Sequence, residues 1–113
     1  MNAYLPTQML RGFRYASWSF NGALQVRFRG GARREIAWTV VPLRGACTAG
    51  SEKTLRLAGK RVYWAHSSNS QEAWRCVRPG GGRALLLLAS TSQPLVELSD
   101  VELGQIVASG SLF

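Results

Sequence analysis

Much of the chain alternates apolar and polar residues with a period of two, which is typical of β-strands with one buried face. The clearest segment, Ala23–Arg29, places Leu24 and Val26 on one face and polar side chains on the other. Asn21-Gly22 and Gly30-Gly31 flank it. Such pairs favour tight hairpins, because both turn positions need positive φ and these residues tolerate it. The pattern therefore predicts antiparallel strands joined by short turns.

The same alternation predicts seven strands along the chain. They are Tyr15–Phe20, Ala23–Arg29, Arg34–Val41, Lys53–Leu57, Arg61–His66, Glu72–Arg78 and Arg83–Thr91. Pro42 is expected to end the third strand, since proline has no N–H for the ladder. The seventh strand is apolar at nearly every position, which is typical of a central strand covered on both faces.

One convincing helix is predicted near the C-terminus, at Asp100–Ser109. Ser99 and Glu102 have the spacing of a capping box, in which each side chain accepts a hydrogen bond from the other's backbone N–H. Leu98 and Leu103 occupy the two positions of a hydrophobic staple. These signals together fix the expected start of the helix.

Two glycines affect this helix, and a second, less strongly predicted helix precedes the first strand. Gly104 should weaken the helix by about 1 kcal/mol relative to alanine, and Gly110 is expected to end it. A shorter, poorer helix is expected near Thr7–Gly12, where Pro6 fits a first-turn position.

These elements predict an α+β fold within a single β-rich domain spanning residues 1–113. Its core is one antiparallel sheet of six or seven strands, with the C-terminal helix packed on one face. An open sheet and a half-closed barrel both fit the pattern, and we favour the open sheet. The chain's 113 residues and 46% hydrophobic content suffice for one such core.

Charge is distributed unevenly along the chain. All 14 lysines and arginines lie between Arg11 and Arg83, whereas the last thirty residues contain three acids and no base, and the net charge is +8. A field this positive attracts anions and polyanions. Arginine-rich composition alone would give the same excess without any ligand.

Strand parity suggests where part of this charge lies. If the alternating apolar residues face inward, several arginines share one exposed sheet face. These anion-binding candidates are Arg27, Arg29, Arg56, Arg61 and Arg75. The same parity points Val62, Trp64, Trp74 and Cys76 inward. Basic sheet faces with aromatic residues bind single-stranded nucleic acid in some proteins, whereas a solvated arginine face is the simpler alternative.

Cys47 and Cys76 are the only cysteines. With a single histidine in the chain, they cannot complete a zinc site. They form either a disulfide or two buried thiols, and we expect the disulfide. It would close a loop of about 30 residues and stabilise the fold by roughly 3–4 kcal/mol. Such a bridge would favour an extracytoplasmic location; without it, the cytoplasm is expected.

Enzyme-like chemistry is sparse in this sequence. His66 is the sole histidine, and the six acids are scattered. There is no Gly-x-Ser-x-Gly elbow, and Pro79–Arg83 lacks the Lys-Ser/Thr ending of a phosphate loop. We expect no enzymatic activity, no cofactor and no metal site.

The sequence predicts neither a membrane-spanning helix nor a signal peptide. The longest apolar run, Ala84–Ala89, is far shorter than the roughly 20 residues of a spanning helix. Met1–Leu10 lacks the basic start of a signal peptide, so the chain is expected to be either cytosolic or a piece of a longer exported or anchored protein.

The tryptophans at 18, 38, 64 and 74 are expected to anchor the core and its rim, and a ligand groove lined by two of them is the alternative.

The second half of the chain resembles a family in its order of elements. Lys53–Trp64 forms a strand, a glycine turn and an aromatic strand; Ala73–Cys76 and the apolar strand follow, and Leu98–Leu103 opens the helix. This order, over about residues 53–110, resembles a domain of unknown function found in bacterial cell-envelope proteins and at the extracytoplasmic end of some anti-sigma factors. The resemblance implies a sheet-and-helix fold and a sensing or lipoprotein-associated role. It brings no catalytic residues, and the two cysteines and positive charge depart from its usual form.

The leading functional prediction is a non-enzymatic, extracytoplasmic binding or sensor module of a bacterial cell-envelope protein, with an unknown protein or anionic ligand as partner. The alternative is a small basic protein that binds single-stranded nucleic acid or another polyanion through its arginine-rich sheet face.

Overall fold

The computed structural model describes residues 3–31, 34–43, 53–66, 70–80, 83–92 and 99–112. Its elements are β1 (Tyr4–Pro6), β2 (Arg14–Phe20), β3 (Leu24–Arg29), β4 (Glu35–Leu43), β5 (Lys53–Leu57), β6 (Lys60–His66), β7 (Ser70–Gly80), β8 (Arg83–Ser92), α1 (Asp100–Ala108) and β9 (Gly110–Leu112). Among these residues no helix has the length and hydropathy needed to cross a membrane.

Seven strands form one antiparallel sheet in the order β2-β3-β4-β8-β7-β6-β5, and β1 pairs with β9 in a separate two-stranded sheet. The large sheet is open, which confirms the α+β prediction and decides against the half-barrel. The seven predicted strands are all present. The sequence pattern missed β1 and β9, because each is three residues long and too short to show alternation.

The predicted hairpins form, although their turns differ in detail. The β2–β3 connection spans three residues between the paired Phe20 and Leu24, and within it only Gly22 has a positive φ. The β5–β6 turn has the two-residue geometry with positive φ at both positions, at Ala58 and Gly59.

The prediction that Pro42 ends its strand is wrong, because β4 continues to Leu43 and Pro42 pairs with Leu85 of β8. The pairing of β3 with β4 ends at Leu24 and Val40. Beyond Val40, β4 therefore has a neighbour on one side only. Proline is tolerated there, because its missing N–H can face the unpaired side.

The capping box of α1 is present as predicted. Glu102 donates its backbone N–H to Ser99 Oγ at 3.1 Å, and Ser99 donates its backbone N–H to Glu102 Oε1 at 3.1 Å. Leu98 of the predicted staple lies outside the described residues. The helix ends at Ala108, whose carbonyl accepts a hydrogen bond from Lys60 Nζ at 3.0 Å. Gly110 does not cap it and instead begins β9.

The short helix predicted at Thr7–Gly12 is absent, and this segment is irregular. The backbone N–H groups of Thr7 and Gln8 both donate to Ser109 Oγ, each at 3.1 Å. Gly12 has a φ of +90°, which a helix does not allow. Bonds to the far end of the chain thus replace the helical ones.

The two faces of the large sheet differ in what covers them. The helix face, which packs against α1, includes Val26, Trp38, Val62, Ala73 and Leu87, and all five are buried. The outer face includes Arg27, Ala37, Tyr63, Trp74 and Leu88. The central position of β8 is confirmed, but its outer-face residues Leu86 and Leu88 are only half-buried, so the predicted cover on both faces is incomplete.

The parity predicted for β7 is wrong. Ala73 and Arg75 are buried on the helix face, and Trp74 and Cys76 are half-buried on the outer face. The cross-strand register explains this, because Ala73 lies opposite Trp64 of β6. A small residue beside that fully buried indole leaves room for α1, whereas a second indole would have to fill the same layer.

Candidate ligand groove

Four of the five arginines predicted to share a face do so, but they form two separate groups. Arg27 and Arg29 lie on β3, and Arg56 pairs with Arg61 across β5 and β6. All four are exposed on the outer face. Four strand spacings separate β3 from β6, or roughly 19 Å at about 4.8 Å per strand.

The β3 group is partly neutralised. Arg27 Nη1 lies 3.1 Å from Glu35 Oε1, and Arg29 Nε lies 3.4 Å from Glu35 Oε2. One carboxylate thus serves two arginines. These exposed pairs contribute little to stability, about 0–1 kcal/mol each, but they lower the local positive charge.

The other group lies beside an aromatic pair. Tyr63 and Trp74 stack on the outer face with ring centroids 6.2 Å apart and planes 20° from parallel. Arg61 precedes Tyr63 by two residues on the same face, and Arg56 is its cross-strand partner. In proteins that bind single-stranded nucleic acid, aromatic side chains stack on the bases and neighbouring cations contact the phosphates.

Arg75 does not belong to the exposed face, contrary to its predicted orientation. It is buried on the helix face, where its Nη2 donates to the carbonyl oxygen of Gly110 at 2.8 Å. Burial lowers the pKa of the Arg75 guanidinium below its ordinary value, and Tyr4 partly opposes this shift. This hydrogen bond connects β7 of the large sheet to β9, so Arg75 contributes to the packing of the fold.

The helix face is not covered along its whole width. The helix packs on β5, β6, β7 and β8, and β1 contacts β4. The aromatic side chains of β2 therefore lie largely in solvent: Tyr15 is 58% exposed, Trp18 60% and Phe20 68%. Their cross-strand partners on β3 are Phe28, Val26 and Leu24. Together they form an apolar strip on the helix face beside β1.

A groove lies between this strip and β1, with a volume of about 460 Å³. It is lined by Ala3, Leu5, Pro6, Tyr15, Trp18, Leu24, Val26 and Phe28. None of these side chains carries a charge. Its size falls within the roughly 300–1,000 Å³ of small-molecule sites. We call it the apolar groove.

A second cavity of about 450 Å³ adjoins the apolar groove, because Ala3 and Leu24 line both. It is lined by Ala3, Tyr4, Phe20, Gly22, Leu24, Val40, Pro42, Pro79, Arg83, Leu85 and Leu112. Among its described lining residues, Arg83 and the Tyr4 phenol are the ionisable side chains. We call this cavity the arginine end.

Sequence reasoning missed this groove. The alternation in β2 and β3 indicated buried faces, and it could not show that the helix stops short of them. Of the four tryptophans, Trp38 and Trp64 are fully buried as core anchors. Trp18 is the one that lines the groove, so the alternative of a groove lined by two tryptophans does not hold for this one.

The structure tests the predictions about metal ligands, His66 and the cysteine pair only in part. Among the described residues no cluster of three or more His, Cys, Asp or Glu side chains could hold a metal ion. The imidazole of His66 lies outside the described atoms. Cys76 lies half-buried on β7, and Cys47 lies outside the described residues, so the bridge between them stays a prediction.

Comparisons with protein-family models, curated proteins and solved structures find no match to this chain. The cell-envelope resemblance therefore stays a prediction.

Proposed function

We propose that this protein is a non-enzymatic binding module and that the apolar groove is its binding site. The observation that carries the proposal is the row of three exposed aromatic side chains on β2 facing β1. Aromatic residues normally bury about 150–250 Å² each in a core or an interface. Covering one that is some 60% exposed would contribute about 2–3 kcal/mol at roughly 25 cal/mol per Å².

Titration with the neutral fluorophore N-phenyl-1-naphthylamine tests the groove, because its emission rises in apolar surroundings. We expect saturable binding by the wild-type protein and an affinity about fivefold or more lower for Trp18→Ser, since a central apolar wall is lost. Leu55→Ser is the matched control. Leu55 is also an exposed apolar residue, at 42%, but it lies on β5 at the opposite edge. Equal binding by all three proteins would contradict the proposal.

We further propose that the module works outside the cytoplasm as part of a bacterial cell envelope. The two cysteines and the order of elements in the second half support this location. Intact mass after alkylation, with and without prior reduction, would detect the Cys47–Cys76 bridge in protein exported by a cell. Two alkylated thiols without reduction would remove the support that the cysteines give, and a cytoplasmic location would then be favoured.

Binding of single-stranded nucleic acid is the second candidate, and the stacked Tyr63 and Trp74 beside Arg56 and Arg61 favour it. Anisotropy of a labelled oligothymidine should then show binding that weakens as salt rises, with a log–log slope of about −1.4 to −2.1 for two or three phosphate contacts. Arg56→Gln with Arg61→Gln should reduce this slope, and Arg83→Gln on the helix face is the control. No binding at low salt would exclude this candidate.

A further inference from the structure

Arg83 is the one charged side chain among the described residues that line the two neighbouring cavities. It is the first residue of β8, and its side chain is exposed. Among the described residues, the carboxylates form ion pairs with Arg27 and Arg29 and none with Arg83. Its guanidinium is therefore available to an external anion.

The apolar groove adjoins the cavity that Arg83 lines. Leu24 lines both cavities, and its cross-strand neighbour on β4 is Val40. Leu85 follows on β8, two residues from Arg83 and on the same sheet face. The surface thus runs from exposed aromatics, through aliphatic side chains, to a single cation. Among the described residues that line the two cavities, none is acidic.

We propose that the groove binds a long-chain carboxylate, with the alkyl chain along β2 and β3 and the carboxylate on Arg83. This assignment rests on the proposed function and adds the class of ligand. A guanidinium presents paired N–H donors that match a carboxylate. An apolar channel with a cation at one end is complementary in both charge and polarity to such an amphiphile.

Charge also separates this occupant from the alternatives. A phosphate monoester carries a charge of about −1.5 to −2 near neutral pH. A single guanidinium neutralises the one negative charge of a carboxylate but leaves part of the phosphate charge unpaired. A second copy of the chain would bring another net charge of +8 against the first, and this repulsion opposes association. A carboxylate lowers that charge instead.

Calorimetric titration below the critical micelle concentration tests the assignment with decanoate, decanol and decyl phosphate. Decanoate should bind about three- to tenfold more tightly than decanol, as expected for a partly exposed ion pair with charge-assisted hydrogen bonds. The preference should shrink as salt rises, because the guanidinium is exposed. Equal affinity for decanoate and decanol would overturn the assignment, and so would tighter binding of decyl phosphate than of decanoate.

Arg83→Gln should abolish the preference for decanoate and leave decanol binding unchanged. Arg61→Gln is the matched control, because it removes the same charge from the outer face. A preference that survives in Arg83→Gln, or that falls equally in Arg61→Gln, would overturn the role of Arg83. Methyl-region NMR spectra of each variant verify that it is folded.

The two proposals fail in different ways. If decanol and N-phenyl-1-naphthylamine bind and decanoate is not preferred, the groove is supported as a binding site and the carboxylate assignment is contradicted. If none of the ligands binds, the proposed function is contradicted as well. Sedimentation that shows a dimer, dissociated by Trp18→Ser, would assign the groove to a second copy and overturn the ligand proposal.

Discussion

Gly104 shows how a single residue can have opposite effects on a helix and on its packing. By helix propensity alone it weakens α1 by about 1 kcal/mol relative to alanine. A Cβ at this position would lie 2.5 Å from Trp64 Cζ2 and 2.8 Å from Leu57 Cδ1. The absence of a side chain therefore lets the helix approach a fully buried indole. Gly110 is similar, since its Cβ would lie 2.8 Å from Trp38 Cη2.

Replacing Gly104 with alanine should therefore destabilise the protein, even though alanine is the better helix former. Overpacking against Trp64 costs about 1–3 kcal/mol and outweighs the gain of about 1 kcal/mol in propensity. We expect the free energy of unfolding, measured by urea denaturation, to fall by up to about 2 kcal/mol.

Gly31→Ala provides the control for this substitution, because no atom of the described residues beyond its chain neighbours lies within 4 Å of its Cβ position and its φ is not in the left-handed region. It should leave stability nearly unchanged. A Gly104→Ala protein that is more stable than wild type would show that propensity dominates and that α1 is not held closely against Trp64.

Among the elements, α1 is the one whose start the sequence specifies best. Its start is fixed by reciprocal bonds between Ser99 and Glu102, and its end by contacts from elsewhere in the chain. Lys60 donates to the Ala108 carbonyl, and a cation there also interacts favourably with the helix dipole. The N-terminal signal is local, whereas the C-terminal one depends on the sheet.

Ser99→Ala should lower the free energy of unfolding by about 1 kcal/mol, because the Glu102 N–H loses its acceptor. Ser19→Ala, at an exposed serine on β2, is the control and should change it by less than about 0.5 kcal/mol. Thermal and urea denaturation would both measure the difference. Equal stability of the Ser99→Ala and Ser19→Ala proteins would contradict a stabilising role for the capping box.

Over the whole molecule, the sheet is wider than the layer that covers it. The helix and the β1–β9 ribbon occupy the middle and one side of the helix face, so β2 remains both an edge strand and an uncovered one. Exposed apolar edge strands are prone to pair with other chains. The net charge of +8 opposes such pairing here, and the same lack of cover opens the apolar groove.

This uneven cover should appear in native-state hydrogen exchange. Amides of β4 and β8, such as Trp38 and Leu87, should open with nearly the global free energy of unfolding, because they lie in central strands with buried side chains. Amides of β2 should exchange through local opening and be protected by a few kcal/mol less. Mass spectrometry of peptic fragments can compare them, and uniform protection across the sheet would contradict this prediction.

The local pattern determined much of the fold. Period-two alternation is a property of neighbouring residues, so it located all seven strands of the sheet, and the capping box located α1. The face of β7 could not be derived in this way. Ala73 and Arg75 point inward because cross-strand pairing places Ala73 opposite Trp64, a register that the strand's own alternation does not encode.

The candidate site shows the same division. The sequence by itself determined which residues are apolar, aromatic or basic. Strand parity placed five arginines on one face, correctly for four of them and wrongly for Arg75. Only the tertiary structure decided that those four arginines form two groups at opposite edges, and that Tyr15, Trp18 and Phe20 lie outside the core. Both outcomes depend on strand order and on where α1 and β1 pack, and those are set by the summed burial of distant residues rather than by any local signal.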